Sequence, residues 1–158
     1  MAIHGSDVPA AVPNATISAE VADMLTFMVQ EEKLARDVYA LATDEYGDRV
    51  FTNINRAESN HMAELQVLLD RYDVADPTAN AAPGRFAEDE LTGMYADLAA
   101  QVGRDRAGAV DAGIAVETAD IADLKDALEL TAPADVTAVL ENLLAGSERH
   151  LAAFRRNA

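Results

Sequence analysis

The sequence contains no cysteine and no tryptophan. Without cysteine, the protein cannot form disulfides, iron–sulfur clusters or thiolate-ligated zinc sites, and it cannot use a thiolate nucleophile. Any metal ion must therefore be held by oxygen and nitrogen. Aromatic residues make up only 5% of the 158 residues, whereas hydrophobic residues reach 50%. This composition favours packed helices over a β-sandwich, and we predict an all-α fold.

Basic residues are also scarce. The chain has 12 basic and 28 acidic residues, and its formal net charge is −16. Such a charge repels nucleic acid and anionic membranes and attracts cations, so we expect neither nucleic acid nor a membrane as a partner. No apolar run approaches the ~20 residues that span a bilayer, and no signal-peptide pattern opens the chain. We expect a cytoplasmic protein, with a removed secretory leader as the alternative left open.

The first 17 residues lack helical periodicity and contain Gly5, Pro9 and Pro13. We predict a flexible N-terminal arm over residues 1–17, in which His4 is incidental. Residues 18–158 are predicted to form one helical domain.

Hydrophobic periodicity predicts four long helices and one short one. The first covers residues 21–46, with Ser18 as N-cap and Gly47 as C-cap, and the second covers residues 52–72. A short helix follows at residues 89–101. A third long helix begins after the turn at Gly103 and extends to Leu128, and a fourth runs from about residue 134 to the C-terminus.

A second apolar line on the first helix repeats every seven residues and consists of Phe27, Leu34 and Leu41. Its position beside the main apolar stripe predicts a second packing partner for this helix. Another subunit is a candidate for that partner. A homodimer is the assembly we expect.

Polar residues interrupt the apolar stripe of the second long helix. The stripe runs through Ile54, Glu58, His61, Leu65 and Leu68. An unpaired buried carboxylate costs several kcal/mol, so such a group is usually paired, protonated or bound to a metal. Glu and His three residues apart on a helix face are also the spacing found in carboxylate-bridged di-iron bundles.

The other three long helices carry similar interruptions. Their polar residues are Glu31 or Glu32 in the first helix, Glu117 in the third, and Ser147 with His150 in the fourth. Periodicity does not choose between Glu31 and Glu32, and we expect one of them to be solvated. Carboxylate and imidazole groups suit iron, manganese or zinc, and mid-helix positions converge in one layer of an antiparallel bundle.

Structural interpretations compete with a metal site. Glu58 and His61 can form a buried polar pair, and Glu117 can pair with Arg56 or another arginine. His150 can be an ordinary core histidine near the end of its helix.

These residues also lie in longer motifs that resemble an uncharacterised family of the ferritin-like superfamily. The motifs are Glu31-Glu32-Lys33-Leu34-Ala35-Arg36-Asp37-Val38-Tyr39, Glu58-x-x-His61-Met62, Glu117-x-x-Asp120-Ile121-Ala122-Asp123-Leu124, and Gly146-Ser147-x-x-His150-Leu151-x-x-Phe154. The resemblance implies an up-down four-helix bundle with a short extra helix between the second and third helices. It also implies a non-haem carboxylate metal site related to those of bacterioferritins and rubrerythrins.

The resemblance assigns a role to each candidate. It implies Glu32 rather than Glu31 as the first-helix ligand, because the matching position in relatives is followed seven residues later by a tyrosine, here Tyr39. The implied metal ligands are Glu32, Glu58, His61, Glu117, His150 and, as an extra acidic position, Asp120. Ser147 departs from the pattern, because a fourth-helix glutamate would stand there in a symmetric di-iron site.

The resulting hypothesis is an iron protein, di-iron or mono-iron, with manganese or zinc as alternatives. We expect ferroxidase, oxidase or peroxidase-like activity on oxygen or hydrogen peroxide, with Tyr39 supplying a hydrogen bond or an electron near the metal. Two other hypotheses stay open. One is a non-enzymatic bundle that is stabilised by a metal or senses it, and the other is a purely structural interaction module.

Overall fold

The computed structural model describes residues 8–158, which form five α-helices and, within that range, no β-strand. The helices are α1 (Ala19–Tyr46), α2 (Arg49–Arg71), α3 (Asp89–Val102), α4 (Arg106–Ala127) and α5 (Ala134–Asn157). The all-α prediction is confirmed, including the short helix between the second and third long ones. His4 lies outside the described residues. The division into an arm and a domain at residue 17 stays a prediction.

The ends of α1 follow from its capping residues. The Ser18 side chain accepts a hydrogen bond from the backbone N–H of Val21 at 3.1 Å. Gly47 adopts a left-handed conformation with φ of 68° and donates its N–H to the carbonyl of Thr43. Glycine adopts this conformation without steric cost, so the helix ends there. Both predicted caps are confirmed.

The second long helix begins earlier than the sequence pattern indicates. It was expected from Thr52, but α2 begins at Arg49, with Asp48 in an extended conformation as the N-cap residue. Only Gly47 and Asp48 therefore separate α1 from α2. So short a connection makes the two helices antiparallel neighbours.

The four long helices form a ring in the order α1, α2, α5, α4, and α3 packs outside it against α1 and α4. Two apolar clusters lie at opposite ends of the bundle. The first contains Val21, Leu25, Leu65, Leu124 and Leu140, and the second contains Val38, Phe51, Leu98, Val110 and Phe154. Helices α1 and α5 run from the first cluster to the second, whereas α2 and α4 run from the second to the first. Every pair of neighbours in the ring is therefore antiparallel.

The chain leaves α2 at the first cluster and enters α4 at the second, so residues 72–105 must cross back along the bundle. This crossover includes α3. Ferritin-like bundles also use one long crossover connection. The helical bundle is established by these contacts, whereas membership of the ferritin-like superfamily stays a prediction.

The second apolar line of α1 is covered by α3. Leu34 is 2% exposed and shares a cluster with Leu91 and Leu98 of α3, and Phe27 and Leu41 pack against the same cluster. The predicted second packing partner is therefore an element of the same chain. None of the helices in residues 8–158 is both long and apolar enough to cross a membrane.

Candidate metal centre

A polar layer separates the two apolar clusters, and each helix of the ring contributes to it. Its members are Glu32 from α1, Glu58 and His61 from α2, Glu117 from α4 and His150 from α5. The three glutamates are each 1% exposed, and the two histidines are 6% and 9% exposed. Because these positions lie near mid-helix in antiparallel helices, the fold brings them to the same level.

One half of the layer is formed by α1 and α2. The Nδ1 atom of His61 lies 3.2 Å from Oε2 of Glu32 and 2.9 Å from Oε2 of Glu58. One ligand atom from each of these three residues lies within 4.8 Å of the others. The group can therefore hold a metal ion.

The other half joins α2 to α4 and α5. The Nδ1 atom of His150 lies 2.8 Å from Oε1 of Glu58 and 3.6 Å from Oε1 of Glu117. These three residues form a second group with the same metal-binding spacing. Glu58 belongs to both groups and presents one oxygen to each histidine. The two imidazole rings are stacked, with centroids 5.5 Å apart.

Several atoms in the layer are buried without an aligned hydrogen bond. They are Oε1 of Glu32, both carboxylate oxygens of Glu58 and Nδ1 of His150. Native proteins rarely leave such groups unpaired, because each one costs roughly 1–3 kcal/mol or more. Two ligand atoms about 2.1 Å from one metal ion and at right angles to each other are about 3 Å apart. The contacts of Glu58 with His61 and His150, at 2.9 and 2.8 Å, match that spacing, although they are not aligned as hydrogen bonds.

Without a bound cation, the environment of these residues favours their protonated forms. Burial, together with the Glu58 carboxylate, raises the pKa of Glu32 to about 7 against the opposing effect of His61. Burial likewise raises the pKa of Glu117. For His150 burial acts to lower the pKa, but Glu117 and Glu58 outweigh it and raise the pKa to about 9. Glu32 and Glu58 raise the pKa of His61 well above its usual value in the same way.

Tyr39 lies at the edge of the second group. Its hydroxyl donates a hydrogen bond of 2.7 Å to Oε1 of Glu117. Burial, then the neighbouring Glu117 and Glu58, raise the pKa of Tyr39 well above its usual value, so the phenol keeps its proton. The ring packs 5.2 Å from that of Phe154, which in turn occupies the space that a side chain at Gly113 would need. Tyr39 therefore contacts Glu117, a candidate metal ligand, and its role at a metal stays a prediction.

Ser147 and Asp120 form a pair beside the layer. The Ser147 hydroxyl is buried and lies 2.6 Å from Oδ2 of Asp120 and 3.0 Å from the carbonyl of Leu143. Neither three-residue group includes Asp120. Its role as a metal ligand stays a prediction, and Oδ1 of Asp120 is buried without a partner.

The structure corrects the expectation that Glu31 or Glu32 is solvated. Glu31 is only 7% exposed and Glu32 only 1%. Burial, then the carboxylates of Asp120 and Asp123, raise the pKa of Glu31 to about 10. The physical reason is that α4 packs against this side of α1. The missed signal is that Glu31 continues the apolar face of α1, one turn beyond Phe27 and Met28.

The structural interpretations of these residues fare differently. Glu117 has Tyr39 and His150 as its partners, so the predicted pairing with an arginine is not what the fold provides. His150 faces two carboxylates and is not an isolated core histidine. A self-sufficient polar pair of Glu58 with His61 would require aligned hydrogen bonds, which Glu58 lacks.

Comparison with known proteins places this chain in a family. Residues 21–158 match the family described as "Uncharacterized protein domain (DUF2202)". The chain belongs to the DUF2202 family. It is 35% identical over 145 residues to "Uncharacterized protein MJ0754" of Methanocaldococcus jannaschii, a match that covers 92% of this chain and 78% of that protein. The family match over residues 21–158 contains every ligand candidate of this DUF2202 chain.

A solved structure supports the same assignment. The crystal structure of hypothetical protein MJ0754 is similar to this DUF2202 chain with a TM-score of 0.89 and 35% sequence identity. The likeness covers 93% of this chain and 84% of the other. The two proteins therefore share the helical architecture over nearly the full length described here.

Proposed function

We propose that this DUF2202 protein binds a pair of transition-metal ions, with iron as the first choice, and uses them in redox chemistry on oxygen or hydrogen peroxide. One observation carries the proposal. Glu58 is fully buried between two histidines, presents one oxygen to each, and makes no aligned hydrogen bond with either. A carboxylate in that position is suited to bridging two cations.

The donor set supports transition metals over calcium or magnesium. Glu32 and His61 would hold one ion, Glu117 and His150 would hold the other, and Glu58 would be shared. Imidazole nitrogen with carboxylate oxygen suits iron, manganese and zinc, whereas calcium and magnesium prefer oxygen alone. Three carboxylates supply three negative charges against the four positive charges of two divalent ions, so the pair would be nearly neutralised.

The surrounding residues would support redox chemistry at this centre. When bound, a pair of iron ions would supply the one-electron steps needed to reduce oxygen or peroxide. The Tyr39 hydroxyl would orient Glu117 through its 2.7 Å hydrogen bond, which makes Tyr39 a positioning residue. The apolar clusters above and below the layer would restrict the access of water.

A metal-stabilised or metal-sensing bundle without turnover is the second candidate function. The observation in its favour is Ser147, which offers a hydroxyl where a second bridging carboxylate would stand. Because Ser147 is engaged by Asp120 and Leu143, it is not available as a ligand. A centre with one bridging carboxylate can serve as a structural staple, since metal binding contributes directly to folding.

The test is anaerobic loading with Fe(II) followed by exposure to air. We expect about two iron ions per chain and an optical change as Fe(II) is oxidised faster than free Fe(II) in the same buffer. Replacement of both Glu58 and His61 by alanine should abolish uptake, whereas Glu141→Ala, on the exposed face of α5, should not. Absence of uptake by the natural protein would refute the proposal. Uptake and a large thermal stabilisation without oxidation would instead support the second candidate.

A further inference from the structure

A row of four carboxylates runs along α4 from the candidate metal centre to the surface. The residues are Glu117, Asp120, Asp123 and Asp126, spaced by three, which places successive members near one another on the helix. Their exposure increases along the row. Glu117 is 1% and Asp120 is 6% exposed, Asp123 is half-buried and Asp126 is exposed.

The outer end of this row opens into a groove between α1, the start of α3 and the end of α4. Its floor is apolar, and its acidic lining residues are Asp23, Glu88, Asp123 and Asp126, with no basic residue. The apolar lining residues are Met24, Phe27, Met28, Ala127 and Leu130. The groove has a volume of about 480 Å³. A divalent ion with six waters, at about 30 Å³ for each water, would occupy roughly 200 Å³. A hydrated cation therefore fits.

Glu31 connects the groove to the centre. Its carboxyl faces those of Asp123 on the groove side and Asp120 on the inner side, and Glu32 is the next residue of the chain. Oε2 of Glu31 and Oδ1 of Asp120 are both buried without a hydrogen-bond partner, on side chains that are more than nine-tenths buried. Where carboxyl groups are buried side by side, a cation can take the place of the protons that otherwise offset their repulsion.

Basic groups lie on other sides of the centre. His61 packs against Gly146 of α5, and the guanidinium of Arg149 lies 3.8 Å from the position that a Cβ atom at Gly146 would take. A further surface groove, between α4 and α5, is lined by Lys125, Arg155 and Arg156 together with the single acid Glu148. The acidic groove therefore offers the favourable approach.

We propose that divalent metal ions enter through this acidic groove and pass along Asp123, Glu31 and Asp120 to the centre. The proposal rests on the proposed function, because it requires a centre that binds metal. Asp126, Asp23 and Glu88 would concentrate hydrated cations at the mouth. The Glu31 and Asp120 oxygens would replace part of the water shell during transfer, and the ion would then be taken up by Glu32, Glu58 and His61.

The test is the rate of Co(II) uptake, followed in a stopped-flow instrument by the visible absorption of bound Co(II). Double replacement of Asp123 and Asp126 by asparagine should slow uptake about tenfold, within the range of electrostatic steering, and should weaken the dependence of the rate on salt. The equilibrium affinity for Co(II) should change less than twofold. Asp111→Asn, an equal change of charge at an exposed position of α4, should leave the rate unchanged.

The outcomes separate this proposal from the proposed function. Normal Co(II) affinity with an unchanged rate in the double variant would overturn the entry path and leave the metal centre intact. A faster uptake in Arg149→Ala than in the natural protein would assign entry to the histidine side and would also overturn it. Failure of the natural protein to bind Co(II) would overturn both proposals. The Glu31→Gln variant should also take up Co(II) slowly. Cooperative thermal unfolding of this variant would show that it is folded in the assay.

Discussion

Two buried clusters of charged residues include neighbouring positions of α1. They differ in how their polar atoms are satisfied. In the first, Nζ of Lys33 contacts Oδ2 of Asp37 at 2.6 Å and the carbonyl of Ala82 at 2.8 Å, and Gly84 donates its N–H to the same carboxylate. In the second, Glu58 has two buried oxygens without an aligned hydrogen bond. Both clusters are nearly inaccessible to solvent.

The difference distinguishes a structural polar cluster from a candidate binding site. The Lys33 and Asp37 pair joins α1 to the crossover segment, and each charge has an opposite charge and further hydrogen bonds. The candidate ligands gather three carboxylates around two histidines and include no lysine or arginine. Burying charge in this way is unfavourable unless it is compensated, so the first cluster fits a structural role and the second fits the proposed binding role.

Lys33→Met should produce the largest loss of stability. The substitution leaves Asp37 buried without its ammonium partner, although Arg36 and Gly84 still contact the carboxylate. We expect a loss of about 3 kcal/mol in the free energy of unfolding, measured by denaturant titration of the metal-free protein. The affinity of the folded protein for Co(II) should stay within about twofold of the natural value. A loss of less than about 1 kcal/mol would mean that the pair is not structural.

Glu58→Gln should have the opposite profile. We expect the stability of the metal-free protein to change by less than about 1 kcal/mol, because the substitution relieves repulsion from Glu32 but also removes attraction to His61 and His150. The affinity for Co(II) should fall at least about 100-fold, which corresponds to about 2.7 kcal/mol, because both metal groups share this residue. Calorimetric titration with Co(II) measures the effect.

The matched control for that substitution is Glu64→Gln. Glu64 is also a buried glutamate of α2, but its carboxylate accepts hydrogen bonds from Asn142 at 2.9 and 3.0 Å. The Glu64→Gln variant should bind Co(II) with the affinity of the natural protein. Equal loss of affinity in the two variants would show that the contrast between satisfied and unsatisfied carboxylates does not identify the site.

The candidate metal centre should make the stability of the metal-free protein depend on pH near neutrality. Glu32 and His150 have pKa values raised to about 7 and about 9 in the folded protein, so the native state binds more protons than the unfolded state at neutral pH. Stability from these groups is complete at low pH and is lost as the pH rises through those values. One excess proton corresponds to about 1.4 kcal/mol per pH unit, or about 2 kcal/mol between pH 6.5 and 8.

The measurement is denaturant unfolding of the metal-free protein across that interval, repeated with saturating Co(II). Bound metal displaces the protons and should remove or reverse the loss. The Asp135 carboxylate is an internal reference. Burial acts to raise its pKa, but Arg71 and Tyr72 outweigh it and hold the pKa below its usual value, so its contribution is constant at neutral pH. A flat profile for the metal-free protein would contradict the expected excess of protons in the centre.

The sequence predicts much of this fold because its signals are local. Ser18 and Gly47 mark the ends of α1, and the helical period places Glu58, His61, Glu117 and His150 on apolar faces, where they are found. The start of α2 is less well predicted, although Asp48 is a residue type favoured at N-caps; in the fold its side chain makes no capping hydrogen bond.

Long-range pairing explains what the sequence could not predict. The burial of Lys33 depends on the carbonyl of Ala82, 49 residues away, and the burial of Glu31 depends on the packing of α4. The engagement of Ser147 by Asp120 likewise joins residues 27 apart. Periodicity reports which side of a helix is apolar, but it does not identify the polar partner that another helix supplies.

Gly146→Ala should have the smallest effect and tests how closely the centre is packed. A Cβ atom at this position would lie 2.6 Å from Cε1 and Nε2 of His61, so the imidazole ring must shift. Since Nδ1 of the same ring contacts Glu32 and Glu58 and must move with it, we expect a loss of affinity for Co(II) of about tenfold, or about 1.4 kcal/mol. Gly93→Ala in α3 is the matched control, because its Cβ would meet nothing within 4 Å and should only raise stability by up to about 1 kcal/mol. Unchanged affinity in Gly146→Ala, measured beside that control, would mean that His61 adapts freely and that the position of its ring does not limit metal binding.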